Sequence, residues 1–143
     1  MNKETEKLLR ECTSGTKMGE HALSYALPKA KNSELKSTLE NAIKSHAVIG
    51  DTAKTMLFSA HRREKEPGAL VLMMSDAKMA AKMLINNSSS TIASLITDGC
   101  DMGTKTLSKA LNDFPCADLK ARHLANQLIS VEDNLRQTLR KFL

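Results

Sequence analysis

Cys12-Thr-Ser-Gly-Thr-Lys-Met-Gly-Glu-His-Ala-Leu23 and Cys100-Asp-Met-Gly-Thr-Lys-Thr-Leu-Ser-Lys-Ala-Leu111 agree at six of twelve positions, at a sequence offset of 88. Both contain Cys-x-x-Gly-Thr-Lys. Each leads to a proline, Pro28 or Pro115, and then to a second helix-forming segment. This spacing predicts two related helical hairpins. The period is too long, and the copies too few, for a solenoid. Cys and Gly three residues apart share one helical face. Small residues there are expected to let the first helices of the two hairpins approach closely.

The flanking sequence fits that reading. A first helix is predicted from Lys3 to Leu27, with a seam at Leu9, Cys12, Thr16, Gly19, Leu23 and Ala26. The alternating steps of three and four are those of a helix packed along its length. Pro28 stops it. A second helix is predicted from Ser33, as N-cap, to Arg63, with a seam at Leu35, Leu39, Ala42, His46, Ile49, Ala53, Met56 and Ala60. Gly50 inside it suggests a close approach, and Arg62, Arg63 and Lys65 suit the negative end of its dipole. Glu66-Pro67-Gly68 is the clearest break in the chain. The last two helices are predicted over Ser89–Asn112 and Ala117–Lys141. The second of these carries a seam at Ala121, Leu124, Leu128, Val131, Leu135, Thr138 and Phe142.

Between the hairpins lies a shorter Met-rich helix, predicted from Ala69 to Ile85. Its packing stripe is read as Leu70, Met74, Ala77, Ala81 and Leu84. Met79 shares the side of Ser75, Lys78 and Lys82 and is expected to be exposed in a monomer. Met is adaptable and frequent at binding surfaces. Met73, Met74, Met79 and Met83 are therefore candidates for a dimer or partner interface, with crossover core packing as the alternative. A loop is expected at Asn86–Ser90. The fold class predicted is all-α: an up-down four-helix bundle in a single domain, with the extra helix in the long crossover that a ferritin-like arrangement requires.

Composition agrees with an all-helical chain. Ala, Leu and Met are frequent, and aromatic residues are limited to one Tyr and three Phe. The charge of +5 comes from 21 basic and 16 acidic side chains, too evenly mixed to imply nucleic acid or a membrane surface. Two basic clusters, Arg62-Arg63-Glu64-Lys65 and Arg136/Arg140/Lys141, lack the aromatic platforms on which bases stack. Cys12, Cys100 and Cys116 are odd in number and form no CxxC pair, which argues against a disulfide framework or a structural zinc site. With no apolar run of membrane length and no signal-peptide stretch after Met1, the expectation is a reduced, cytoplasmic protein.

The segment Ile92–Leu111, together with Leu9-Arg-Glu-Cys12, Lys17-Met18, Glu66-Pro67-Gly68, Val131-Glu132 and Lys141-Phe142-Leu143, resembles a family of small ferritin-like proteins of uncharacterised function, found mainly in anaerobic Gram-positive bacteria. The resemblance covers nearly the whole chain. It implies a ferritin-like four-helix fold and no particular activity. The chain departs from the family pattern around His46, which is flanked by Ala42-Ile43-Lys44-Ser45 and Ala47-Val48-Ile49 where Glu-rich turns are expected.

A di-iron carboxylate centre needs Glu-x-x-His on two helices, because i and i+3 point carboxylate and imidazole inward together. The chain has no Glu-x-x-His. A reduced metal site remains open, with one ligand per helix from Glu11, His46, Asp98 and Glu132, holding iron or another divalent metal. Folding the hairpins places His46 near Ser14–Gly15 and Glu132 near Asp98–Gly99. The competing reading makes His46 a core histidine hydrogen-bonded to a neighbour such as Glu132. No nucleophile elbow, phosphate loop or dinucleotide fingerprint occurs, and no catalytic residue is assigned. Cys116, near a helix start, is the candidate reactive thiol. The function expected is non-catalytic, through self-association or a protein partner, with a metal or redox protein as the alternative and a nucleic-acid binder as a weaker one.

Overall fold

The computed structural model describes every residue except Asn87, and the side chains of all the others except Ala69, Leu70, Leu84 and Ile85. The described residues are all-helical, with five α-helices: α1 (Lys3–Ala26), α2 (Ser33–Ser59), α3 (Ala69–Ile85), α4 (Ser89–Asp113) and α5 (Leu119–Leu139). Short 3-10 turns follow α1 and α5. Among the described residues there is no strand.

Four of the helices open on a side chain that accepts a hydrogen bond from a first-turn N–H: Asn2, Asn32, Ser88 and Asp118. Such caps contribute about 1 kcal/mol each. The cap of α2 is therefore Asn32 and not the expected Ser33. Part of the expected loop, Asn87, lies outside the described residues.

Helix α1 packs along α2, and α4 along α5; α5 also meets α2 and α1, and α1 meets α4. Helix α3 lies in the connection between the hairpins and rests on α1 and α4. The apolar core divides into two clusters. One gathers Leu23, Leu35, Leu39, Ile92, Ile96 and Leu139. The other gathers Leu8, Leu9, Leu57, Leu107, Leu124 and Leu128. Each fully buried Leu contributes about 1.5–3 kcal/mol by leaving water. The sequence between the clusters is polar. His46 falls between Ala42 of the first and Ile49 of the second, and Glu132 between Leu135 and Leu128.

The predicted seams hold for most of their length and then slip by one residue. Leu35, Leu39, Ala42, His46, Ile49 and Ala53 are buried as expected, but Leu57 is buried in place of Met56. In α5, Glu132 and Leu139 are buried in place of Val131 and Thr138. An α-helix advances 3.6 residues per turn, so a strict 3.5-residue pattern drifts off the buried face.

Two larger corrections concern the middle of the chain. Helix α2 ends at Ser59, four residues before Arg63. His61 adopts a left-handed conformation (φ 53°). The His61 N–H then reaches the Phe58 carbonyl at 2.9 Å, and the Arg62 N–H the Leu57 carbonyl at 2.9 Å. This is the Schellman arrangement that satisfies the last carbonyls of a helix, here without the usual glycine. Arg62 and Lys65 thus leave the helix dipole and pair with Glu6 and Glu11 of α1.

The second correction is the orientation of α3. Met79 and Met83 are buried, at 5% and 7% exposure, whereas Met74, Ala77 and Ala81 of the expected packing stripe face outward. The side chains of Leu70 and Leu84, the rest of that stripe, lie outside the described residues. The helix is apolar on nearly all sides, so its contacts fix its orientation: the Asp76 carboxylate lies 2.9 Å from His21 Nε2 of α1, and Met79 and Met83 join the first core cluster.

Candidate functional site

The buried polar layer is the only place where ionisable groups from both hairpins meet inside the described core. His46 projects from the middle of α2 with 1% of its surface exposed. Its Nδ1 lies 2.7 Å from the Ala42 carbonyl and its Nε2 lies 3.0 Å from Glu132 Oε1 on α5. Both partners are acceptors when Glu132 is ionised, so the doubly protonated ring satisfies both contacts. Burial disfavours that charge and pulls the His46 pKa down. The Glu132 hydrogen bond and charge, the Ala42 carbonyl and the charge of Glu20 outweigh burial, and the pKa ends above its ordinary value.

Glycines make the room. A Cβ added at Gly19 would stand 2.5 Å from His46 Cδ2 and 2.6 Å from Nε2. One added at Gly103 would stand 3.1 Å from Glu132 Oε1, and one at Gly50 would stand 2.6 Å from Thr16 Oγ1. The close approach expected at Gly50 is therefore made, between α2 and α1. His46 sits against Gly19, one turn beyond the expected Ser14–Gly15. Glu132 sits against Gly103 and beside Cys100, one turn beyond the expected Asp98–Gly99. In the repeated motif, Gly15 faces Leu128 of α5 and Gly103 faces Glu132 of the same helix. The small residues thus admit α5 side chains, and the two first helices, α1 and α4, also meet.

Of the four candidate ligands, the structure brings together His46 and Glu132. Glu11 sits at the bundle surface, 2.7 Å from Lys65 Nζ. Asp98 is exposed on α4. Among the described residues no three His, Cys, Asp or Glu side chains form a group that could hold a metal ion. The donor set does not fit a di-iron centre, since the one buried imidazole and the one buried carboxylate are spent on each other.

The three thiols fall into two environments. Cys12 and Cys100 are buried. Burial, with the neighbouring Glu11 charge, pushes the Cys12 pKa up to about 12. Burial and the charge of Glu132 push Cys100 up further still. Cys116 is exposed in the turn before α5, where its N–H donates to the Glu4 carboxylate at 2.6 Å.

Next to the polar layer, a 140 Å³ cleft between α1 and α2 is lined by Thr16, Lys17, Glu20, Asp51, Lys54 and Glu64, among others. Small-molecule sites typically span about 300–1,000 Å³. Lys17 reaches Glu64 at 2.9 Å and also pairs with Glu66, while Lys54 lies 3.6 Å from Glu64. These contacts, with the Lys65 N–H donating to Thr13 Oγ1 at 3.2 Å, strap residues 62–66 onto α1 and α2. The charges of the cleft are thus largely consumed by each other.

Four of the six cations in the two basic clusters are likewise engaged. Arg62 and Lys65 pair with α1, Arg136 bonds Asp101 and Asp133 at 2.9 Å each, and Lys141 pairs with Glu34. Sequence reasoning missed the anchoring pair His21–Asp76, the Thr13 clasp and the glycine cradle. The glycines at positions 15 and 19 were the available signal, since two small residues one turn apart mark a face that something must enter. No helix among the described residues is long and apolar enough to cross a membrane. Comparison with family models, curated proteins and solved structures returns no match.

Proposed function

We propose that the protein is a non-catalytic helical bundle that works through protein contacts on the outward face of α3. The carrying observation is the exposure of that face: Val71, Met73 and Met74 are 48%, 66% and 64% exposed within four residues. Burying one such side chain in a partner contributes about 1.5–3 kcal/mol. Contiguous apolar exposure of this kind marks interaction surfaces. The buried methionines of the same helix are not part of the face; Met79 and Met83 anchor it.

Within this reading the fold is a ferritin-like bundle of two related hairpins. The six shared positions at an offset of 88, the matching central places of His46 and Glu132, and a crossover long enough to carry α3 support it. So does the resemblance to the small ferritin-like family. A reduced compartment suits three free thiols. In such a bundle the central position, where relatives of the fold class place metal, is here closed by the His46–Glu132 pair.

The test is site-specific photo-cross-linking in the producing cell, with a photoreactive phenylalanine analogue at Met74 and, as control, at Val48 on α2. The expected result is a discrete adduct from position 74 that Met73→Glu abolishes, and none from position 48. Equal or absent adducts at the two positions would overturn the proposal.

A further inference from the structure

The chemistry of the α3 face also says what fits it. At about 100° per residue, Met73, Ala77, Ala81 and Met74 occupy one outward arc, and all four are exposed. Lys78 and Lys82, one turn apart and both exposed, border that arc on one side. Neither makes an ion pair within the described residues. On the other side the bordering acid, Asp76, is already held by His21 at 2.9 Å. The face is therefore an apolar strip with one cationic edge. Past Lys82 it runs into a 360 Å³ groove between α3 and α4, lined by Asn86, Ser90, Thr91, Ser94 and Leu95. This groove offers hydroxyl donors beside the lysine.

A helix laid on the strip meets those lysines with one of its own flanks. Flanking charges set partner choice and orientation in helix pairs. A second copy packed antiparallel would put Lys78 and Lys82 against their own counterparts, and four like charges would repel. A second copy packed parallel would bring the lysines to the Asp76 edge, where the carboxylate is taken by His21. Charge complementarity is instead met by a helix with carboxylates one turn apart along one flank. Resting on the reading of the α3 face as a contact surface, we propose that its partner is an amphipathic helix of a different protein, apolar on one side and acidic along the flank that meets Lys78 and Lys82.

The experiment uses the full chain and two fluorescein-labelled synthetic helices with the same Leu/Ala face and equal helicity by circular dichroism. One carries Glu and the other Lys along the same flank. Fluorescence anisotropy is expected to show the Glu peptide bound about tenfold tighter or more, consistent with complementary charges at a helix interface. Lys78→Glu with Lys82→Glu should reverse the order, and Met74→Glu should weaken both. Equal binding of the two peptides would overturn the acidic-partner inference and leave the docking face standing. If neither binds, and sedimentation shows a dimer that Met74→Glu dissociates, the occupant is a second copy and the inference fails while the contact reading survives. A monomer that binds neither peptide would overturn both.

Discussion

His46 Nε2 lies 3.0 Å from Glu132 Oε1, and this contact joins α2 of one hairpin to α5 of the other between two apolar clusters. A buried ion pair contributes little beyond what well-packed apolar residues would supply, but removing one partner strands the other. We predict that Glu132→Ala destabilises the fold by about 3–5 kcal/mol. Glu132→Gln keeps an acceptor for Nε2 and should cost less, about 1–3 kcal/mol. His46→Leu combined with Glu132→Leu should recover much of the loss. Urea unfolding of the four proteins measures all three.

The same pair gives a pH dependence of definite sign. The folded pKa of His46 is raised above its ordinary 6.5. Its contribution to stability is complete below that value and is lost as pH rises through the folded midpoint. Thermal melts from about pH 6 to 9, the range bracketing an upshifted histidine, should show Tm falling as pH rises. In His46→Gln that slope should flatten.

The glycines separate space from helix propensity. Gly99 has no atom within 4 Å of an added Cβ. Gly99→Ala should therefore stabilise by about 0.5–1 kcal/mol, the ordinary gain in a helix interior. Gly19→Ala meets the His46 ring at 2.5 Å, and that ring is fixed at both nitrogens. Overpacking costs about 1–3 kcal/mol and outweighs the propensity gain. Chemical denaturation should show the two substitutions with opposite signs.

Thiol chemistry should sort the cysteines by depth. In native protein, a thiol-reactive disulfide reagent at pH 8 should titrate one group, Cys116, because it alone is exposed. Cys12 and Cys100 are buried with pKa values pushed far up, so they should react only after denaturant is added. Cys116→Ser should leave native protein unreactive.

Much of this architecture is legible in the sequence because helix seams repeat. Leu9, Cys12, Thr16 and Leu23 of α1 are buried where the alternation puts them. Glu132 was legible as the partner of His46, because aligning the second helices of the two hairpins at an offset of 86 sets the two residues opposite each other, although the seam itself pointed to Val131. Helix α3 was not legible in orientation. Ala, Leu and Met surround it, so two stripes are nearly equal in apolar content, and the choice falls to His21–Asp76 and the depth of Met79. The end of α2 was missed because its stop is His61 in a left-handed conformation, with no Gly or Pro to announce it. Glu11 and Asp98, read as ligands beside His46 and Glu132, lie apart from that pair: Lys65 takes the Glu11 carboxylate and Asp98 faces solvent.

The His46–Glu132 pair joins the two hairpins and leaves His46 no ring nitrogen free for a metal. ¹⁵N NMR of the His46 ring, recorded through a pH titration with and without equimolar Zn(II), tests it most directly. The expected result is a protonation midpoint above 6.5 that falls in Glu132→Gln, with both ring nitrogens unchanged by zinc. A neutral ring whose Nε2 resonance shifts on adding zinc, with matching loss of the Glu132 contact, would contradict it.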